Sequence, residues 1–134
     1  MVLVFEIEGT PRGKARPRIN TFTKRAYTPT KTKIYEDVTK WRFKERYKDF
    51  VPLEGALEAE ITAIFEVPKS YSKKKKAELL GTEYTHRPDV DNISKIILDS
   101  LNGLAYKDDS QISKLIVTKE YGEQAKVIVI LKSL

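Results

Sequence analysis

The chain has no cysteine and only one histidine among its 134 residues. Without cysteine it cannot form disulfide bonds, bind zinc through thiolates or use a cysteine nucleophile. No apolar run approaches the length of about 20 residues that a membrane-spanning helix needs. The first residues, MVLVFEIEG, lack the basic leader and cleavage site of a signal peptide. We therefore expect a cytoplasmic protein without a membrane partner.

What the chain does contain is charge, unevenly distributed. Hydrophobic residues make up 40% and charged residues 33%, and the net charge is +6. A chain of this length predicts one domain, residues 1–134, with a core that needs no covalent cross-link. Residues 1–48 carry 13 Lys/Arg against 5 Asp/Glu, whereas residues 49–134 carry 12 against 14. This asymmetry indicates a basic surface for a polyanion and a separate surface for something else.

Hydrophobic periodicity predicts seven elements in the order β-α-β-α-α-β-β. The strongest strand signal is the alternation of apolar and polar residues over 57–67. The expected helices begin near Pro29, after Ser72 and near Asp91, and the last two strands, about 112–121 and 125–132, are expected to form a hairpin. The fold class is α/β (α+β), a single domain with a mixed β-sheet packed by helices.

Aromatic and apolar residues recur at helical spacing in the first expected helix. Ile34, Val38 and Trp41 share one face of it. Tyr35, Trp41 and Tyr47 also follow helical spacing, which favours packing in the core or in a dimer over stacking on bases.

Four acids surround one short apolar helix in the stretch RPDVDNISKIILDSLNGLAYKDDSQI. Each has an ordinary local explanation: Asp91 can cap a helix, and Asp89, Asp108 and Asp109 can lie in turns. They can also converge. If the chain enters the helix extended, Asp89 and Asp91 point the same way and Val90 points into the core. The connector after the helix is long enough to bring Asp108 and Asp109 back beside them.

A cluster of these acids would present only hard oxygen ligands. Such ligands favour Mg²⁺ or Mn²⁺ over zinc, and magnesium needs only one or two carboxylates besides waters and substrate phosphates. Lys95 follows Asp91 by four residues. Its spacing is equally compatible with a surface ion pair to Asp91 and with a cation that positions a phosphate. Asn92 is a candidate polar support, and His86 is expected to be a loop residue.

Two groups of cations are candidates for DNA contacts. The loop from Gly9 to Tyr27 contains no acid, and phosphate contacts from its six cations would make affinity depend strongly on salt. Four lysines in the first turn of the second helix oppose its macrodipole. A phosphate partner would explain them, but so would a solvated face. The candidate residues are Arg12, Lys14, Arg16, Arg18, Lys24, Arg25, Lys73, Lys74, Lys75 and Lys76.

The stretch around the acids combines three parts in order: Asp-x-Asp-Asn-x-x-Lys, then an apolar helix with Asp99, then Asp-Asp-x-Gln. This pattern resembles the signature of the RusA family of Holliday junction resolvases. The segments GTPRGKARPRINTFTKRAYTP and SYSKKKKAELL are similar to its phage and Gram-positive branch. The resemblance implies a homodimeric, Mg²⁺-dependent crossover junction endodeoxyribonuclease that acts on four-way DNA junctions by paired symmetric nicks, in recombination and repair.

Residue by residue, the resemblance implies that Asp89, Asp91 and Asp109 are the metal-binding acids and that Lys95 is the essential lysine. Asp108 precedes the aligned acid and is the less secure ligand. Two other functions remain open from the sequence. One is a nuclease for other branched or flap DNA, and the other is a non-catalytic DNA-binding module in which the acids only cap and turn.

Overall fold

A computed structural model describes all residues, 1–134. The expected α/β class and the order of the seven main elements are confirmed. A small hairpin within the basic loop and a 3₁₀ turn before the fifth strand are additional. The elements are β1 (Val2–Glu8), β2 (Arg18–Ile19), β3 (Ala26–Tyr27), α1 (Thr30–Arg46), β4 (Leu57–Glu66), α2 (Lys73–Leu79), α3 (Val90–Ser100), the 3₁₀ turn Asp109–Gln111, β5 (Ile112–Gly122) and β6 (Lys126–Ser133).

The four long strands form one mixed sheet in the order β1-β6-β4-β5. β4 is parallel to β5 and antiparallel to β6. The expected hairpin of the last two strands is therefore wrong, because β4 lies between them. The chain crosses the end of β4 instead: Gly122 pairs with Glu66, and Lys126 pairs with Ile64. A side chain at Gly122 would overlap that of Ile64, so glycine permits the crossing.

The core lies between one face of this sheet and the helices α1 and α3. Twenty buried residues form one hydrophobic cluster, and the alternating residues Leu57 to Phe65 of β4 point into it as predicted. None of the helices combines the length and apolar character that crossing a bilayer requires.

Helix α1 packs on the sheet through a different face from its apolar stripe. Tyr35 and Phe43 are buried, and the Phe43 ring meets that of Phe5 edge-on at 5.5 Å between ring centres. Trp41 lies outside the core and is 58% exposed. The stripe Ile34, Val38 and Trp41 therefore faces outward, and the rings of Tyr35 and Phe43 fill the space against the sheet.

The connector after α3 is held to the rest of the protein by side-chain hydrogen bonds. Gly103 adopts a positive φ of 77°, which lets the chain reverse direction. The buried Tyr106 hydroxyl donates to the Leu98 carbonyl at 2.6 Å. The Gln111 amide donates to the carbonyls of Leu53 and Gly55 at 2.9 and 3.0 Å. These bonds bring the 3₁₀ turn back alongside α3.

Candidate active site

The motif acids lie where the chain enters α3, but not as an extended pair. Asp89 is the extended residue before the helix, with φ −73° and ψ 154°, and Asp91 already belongs to the first helical turn. The expectation that Val90 points into the core is wrong, since Val90 is 44% exposed. The helix begins one residue earlier than expected, so the alternation of an extended strand does not apply across Val90.

Asp89 and Asp91 lie at the N-terminus of α3, where the helix macrodipole favours negative charge, but neither acid nor Lys95 has a side-chain partner. Asp89 occupies the N-cap position without making a side-chain cap hydrogen bond. The carboxylate of Asp91 has no hydrogen-bond or salt-bridge partner, and Lys95 forms no ion pair with it although the helical spacing would allow one. Lys95 is exposed. These three side chains are therefore available to bind a ligand.

Asp108, by contrast, has a local structural role. Its carboxylate accepts from the Ser110 amide at 3.1 Å and forms a reciprocal capping box with Gln111. Hydrogen bonds from the side chain and backbone of Ser110 lower the pKa of Asp108. The turn chemistry considered from the sequence thus explains this acid by itself.

Asp109 meets a different partner from the expected one. Partial burial raises the pKa of Asp109, and so does the adjacent carboxyl of Asp99, which lies within hydrogen-bonding reach. Lys14 Nζ lies 3.7 Å from the Asp99 carboxylate and 3.0 Å from that of Glu36. The connector therefore returns beside the last turns of α3 and not beside its first turn.

No group of three or more His, Asp or Glu side chains is arranged closely enough to hold a metal ion. Asp99 lies eight residues after Asp91, about 12 Å along the helix axis, and Asp109 lies with Asp99. The donor chemistry nevertheless fits magnesium, because hard carboxylates are present and the ion takes only one or two of them with waters and phosphates. The ligand assignment of Asp89, Asp91 and Asp109 stays a prediction.

A cleft of about 920 Å³ lies between the basic loop, the start of α1 and the start of α3. Gly13 packs against the α3 side, and the Lys14 amide donates to the Asn92 carbonyl at 2.9 Å. The N-terminus of α1 has no side-chain cap and no acid in its first turn, so its amides are free to bind an anion. The charged residues lining the cleft are Arg12, Lys14, Arg18, Lys31, Arg87 and Asp89.

The structure divides the predicted DNA-binding residues into three places. Three of them line the cleft, and three others, Arg16, Lys24 and Arg25, are exposed beside it on the loop and its β2–β3 hairpin. The lysines of α2 lie outside the cleft, where Lys75 Nζ sits 3.9 Å from the centre of the Tyr71 ring.

Sequence reasoning missed three residues of this site. Lys31 and Arg87 also line the cleft. Lys31 lies next to the expected start of a helix and Arg87 lies next to the acidic motif, and these positions could have indicated both residues. Asp99 entered the sequence analysis only as part of the motif, without a role in the site. Its signal was the spacing of Asp91, Lys95 and Asp99, four residues apart on one helical face.

The mixed α/β fold thus sets the carboxylate of Asp89 in a cleft that five cations also line. The chain belongs to the endodeoxyribonuclease RusA family, whose model it matches over residues 8–132. It is also 32% identical to the uncharacterized protein YqaN of Bacillus subtilis (strain 168), over 96% of this chain and 94% of that protein. The resemblance seen in the motifs is thereby confirmed, and the chain is assigned to a family of nucleases.

Proposed function

We propose that this protein is a Mg²⁺-dependent, structure-specific endodeoxyribonuclease that resolves four-way DNA junctions by paired symmetric nicks, in recombination and repair. The observation that carries the proposal is the cleft, which five cations line together with Asp89. Five cations attract the DNA backbone. The carboxylates of Asp89 and Asp91 make no ion pair and no cap hydrogen bond that would occupy them.

The metal-binding residues in this proposal are Asp89, Asp91 and Asp109, with Mn²⁺ as an alternative ion. Asp109 lies beside the Asp99 carboxyl, and Lys14 Nζ is 3.7 Å from Asp99, so the repulsion between the two acids is already partly offset within the protein. Asp108 is the weaker candidate because it already caps the 3₁₀ turn. A bound ion would supply an activated water and charge stabilisation at the phosphate.

The remaining groups bind and orient DNA. The free amides of α1 and the cleft arginines hold one phosphate backbone, and the exposed cations of the hairpin extend that surface. Lys95 projects from the same helix as the acids without an ion pair and adds positive charge at the phosphate that is cleaved. The lysines of α2 provide a second, more distant contact.

The homodimer rests on the family resemblance, and the outward stripe of α1 supplies an apolar surface for it. Exposed Ile34, Val38 and Trp41 lie side by side on this helix, and aromatic residues are enriched at interfaces. In sedimentation, we expect Trp41→Glu to produce monomers. The matched variant Ile116→Glu changes a residue that is 40% exposed on the opposite face of the sheet and should leave the dimer intact. The reverse result would move the interface to the sheet.

The decisive experiment is cleavage of a mobile four-way junction with and without Mg²⁺, with nicks mapped on all four strands. We expect metal-dependent nicks at symmetric positions on two opposing strands. Linear duplex and a flap of the same sequence are the controls. Equal cutting of the flap would favour the broader branched-DNA nuclease, and cutting of linear duplex would remove the junction assignment.

A DNA-binding module is the second candidate, favoured by one observation: three acids do not form a ready metal site. It predicts junction binding that no divalent ion converts into cleavage. Failure of both Mg²⁺ and Mn²⁺ to support cleavage of any branched DNA would therefore leave this function in place of the nuclease.

A further inference from the structure

We propose that Lys119 and Tyr84 are positioning residues that hold the segment His86–Pro88, and through it Asp89, in place. This inference rests on the proposed nuclease function. It concerns residues outside the motif and outside the cleft, on β5 and on the segment before α3.

The ammonium of Lys119 reaches from β5 to two backbone carbonyls of this segment. Its Nζ donates to the His86 carbonyl at 2.7 Å and to the Pro88 carbonyl at 3.0 Å. The Tyr84 hydroxyl donates to the intervening Arg87 carbonyl at 3.4 Å. Three consecutive carbonyls directly before Asp89 therefore each have a side-chain donor.

The backbone of this segment has no support of its own. Residues 85–88 form no backbone–backbone hydrogen bond, and the first such bond after them joins the Ile93 amide to the Asp89 carbonyl. The side-chain donors thus replace the missing secondary structure. A segment without them would regain several backbone torsions.

The two donors are themselves firmly held. The Tyr84 ring stacks on that of Phe65, with 3.7 Å between ring centres and an interplanar angle of 5°. The Tyr84 amide donates to the Lys119 carbonyl at 3.0 Å, and Lys119 Nζ lies 5.6 Å from the centre of the Tyr84 ring. Lys119 forms no ion pair with any acid. The ammonium therefore donates to the two carbonyls without competition from an acid, and such charge-assisted hydrogen bonds are strong.

The held segment affects both sides of the candidate site. Asp89 follows Pro88 directly, and Arg87, Pro88 and Asp89 all line the cleft. Gly13 of the basic loop also packs against Pro88. Because a displacement of about 1 Å can reduce catalysis about 10²-fold, a loose segment would cost turnover more than DNA binding, which is spread over many cations.

The test compares four variants with the wild type in the full chain. Lys119→Met removes both charged bonds, Lys119→Arg keeps donors for the carbonyls, and Tyr84→Phe removes one bond but keeps the stacked ring. Lys114→Met is the matched control on the same strand, because Lys132 still pairs with its partner Glu58. The readouts are backbone ¹⁵N order parameters of residues 85–89 without metal, junction Kd without metal, and single-turnover cleavage with Mg²⁺.

For Lys119→Met we expect the order parameters to fall from the rigid range, about 0.85, to below about 0.6. Cleavage should slow by about 10²-fold with junction Kd unchanged. Lys119→Arg should recover most of the rate, and Tyr84→Phe should show a smaller loss with intact folding. Lys114→Met should match the wild type.

Unchanged order parameters in Lys119→Met would overturn the inference, as would equal slowing in Lys114→Met or a loss of junction binding in parallel with cleavage. The outcome for the proposed function is separate. If the wild type does not cut branched DNA, the nuclease proposal fails, and the order parameters still decide whether Lys119 holds the segment.

Discussion

The acidic region around α3 and the basic loop before α1 meet at one cleft but are built differently. The acidic region is fastened by buried side chains such as Tyr106 and by donors to otherwise unpaired carbonyls. The basic loop has two strands of two residues each, and Phe22 at the hairpin tip is 96% exposed. The backbone around the acids is therefore held by specific hydrogen bonds, whereas the tip of the basic loop is exposed.

The contact between the two regions is small and specific. Gly13 approaches α3 so closely that a Cβ there would lie 2.9 Å from the Cβ atoms of Pro88 and Asn92. Lys14 then places its amide on α3 and its ammonium between Asp99 and Glu36. The basic loop is thus joined to the acidic region through Gly13 and Lys14.

The largest expected effect comes from removing one free carboxylate of the acidic region around α3. Asp91→Asn should reduce Mg²⁺-dependent cleavage of a four-way junction by about 10²–10³-fold, since it removes a proposed ligand of the ion that would stabilise charge at the phosphate. Junction binding, measured by fluorescence anisotropy, should not weaken. Asp37→Asn, at an exposed position of α1, is the matched control. Full activity in Asp91→Asn would remove it from the site.

Changes in the basic loop should alter the affinity for the junction and not the rate of cleavage. Replacing Arg18, Lys24 and Arg25 together with Ala should weaken junction binding about tenfold or more and reduce the salt slope by up to about 2.7, or about 0.9 for each lost phosphate contact. Titrations between about 50 and 200 mM salt measure this slope. A triple Ala variant of Lys40, Lys44 and Lys48, toward the other end of α1, should keep the wild-type slope. An unchanged slope in the hairpin variant would exclude the hairpin from binding.

Separating the two regions should give an intermediate effect. Gly13→Ala forces a methyl group against Pro88 and Asn92, and overpacking of this kind costs about 1–3 kcal/mol. We expect a lower midpoint in urea unfolding and weaker junction binding. Wild-type stability together with wild-type binding would show that the loop does not need its contact with α3.

The smallest expected effect is a gain in protein stability when Asp109 of the acidic region is replaced. Burial and Asp99 raise the pKa of Asp109, so the folded state keeps its proton at higher pH than the unfolded chain does. Stability from this carboxyl therefore falls as pH rises from the unfolded value, about 3.9, through the raised pKa. At pH values above this window, Asp109→Asn should raise the Tm measured in EDTA by up to about 4 °C.

The control for that prediction is Asp108→Asn, which should act in the opposite direction. Hydrogen bonds lower the pKa of Asp108, so its contribution to stability is present above the unfolded pKa and is lost as pH falls through the lowered value. Thermal unfolding of both variants across the acid range measures the two signs. A lower Tm for Asp109→Asn would contradict an unfavourable interaction between the carboxyls of Asp109 and Asp99.

Local chemistry made much of the fold predictable. The alternation along β4 and the cap at Ser72, which accepts from the Lys75 amide at 3.2 Å, are both present as predicted. The helix carrying the acids was located to within one or two residues of Val90–Ser100. These features depend on residues close together in the chain. The identity of strand neighbours does not, and the expected hairpin of β5 and β6 therefore failed.

The candidate site divides in the same way. By itself, the sequence determined the family and the surplus of cations in the basic loop, because these depend on residue types and their spacing, and it predicted an oxygen-only ligand set. Only the tertiary structure decided that Asp109 lies beside Asp99, that Asp108 is a cap, and that Lys119 donates to carbonyls of the segment before Asp89. Such meetings depend on how distant segments pack, and local periodicity carries no information about that packing.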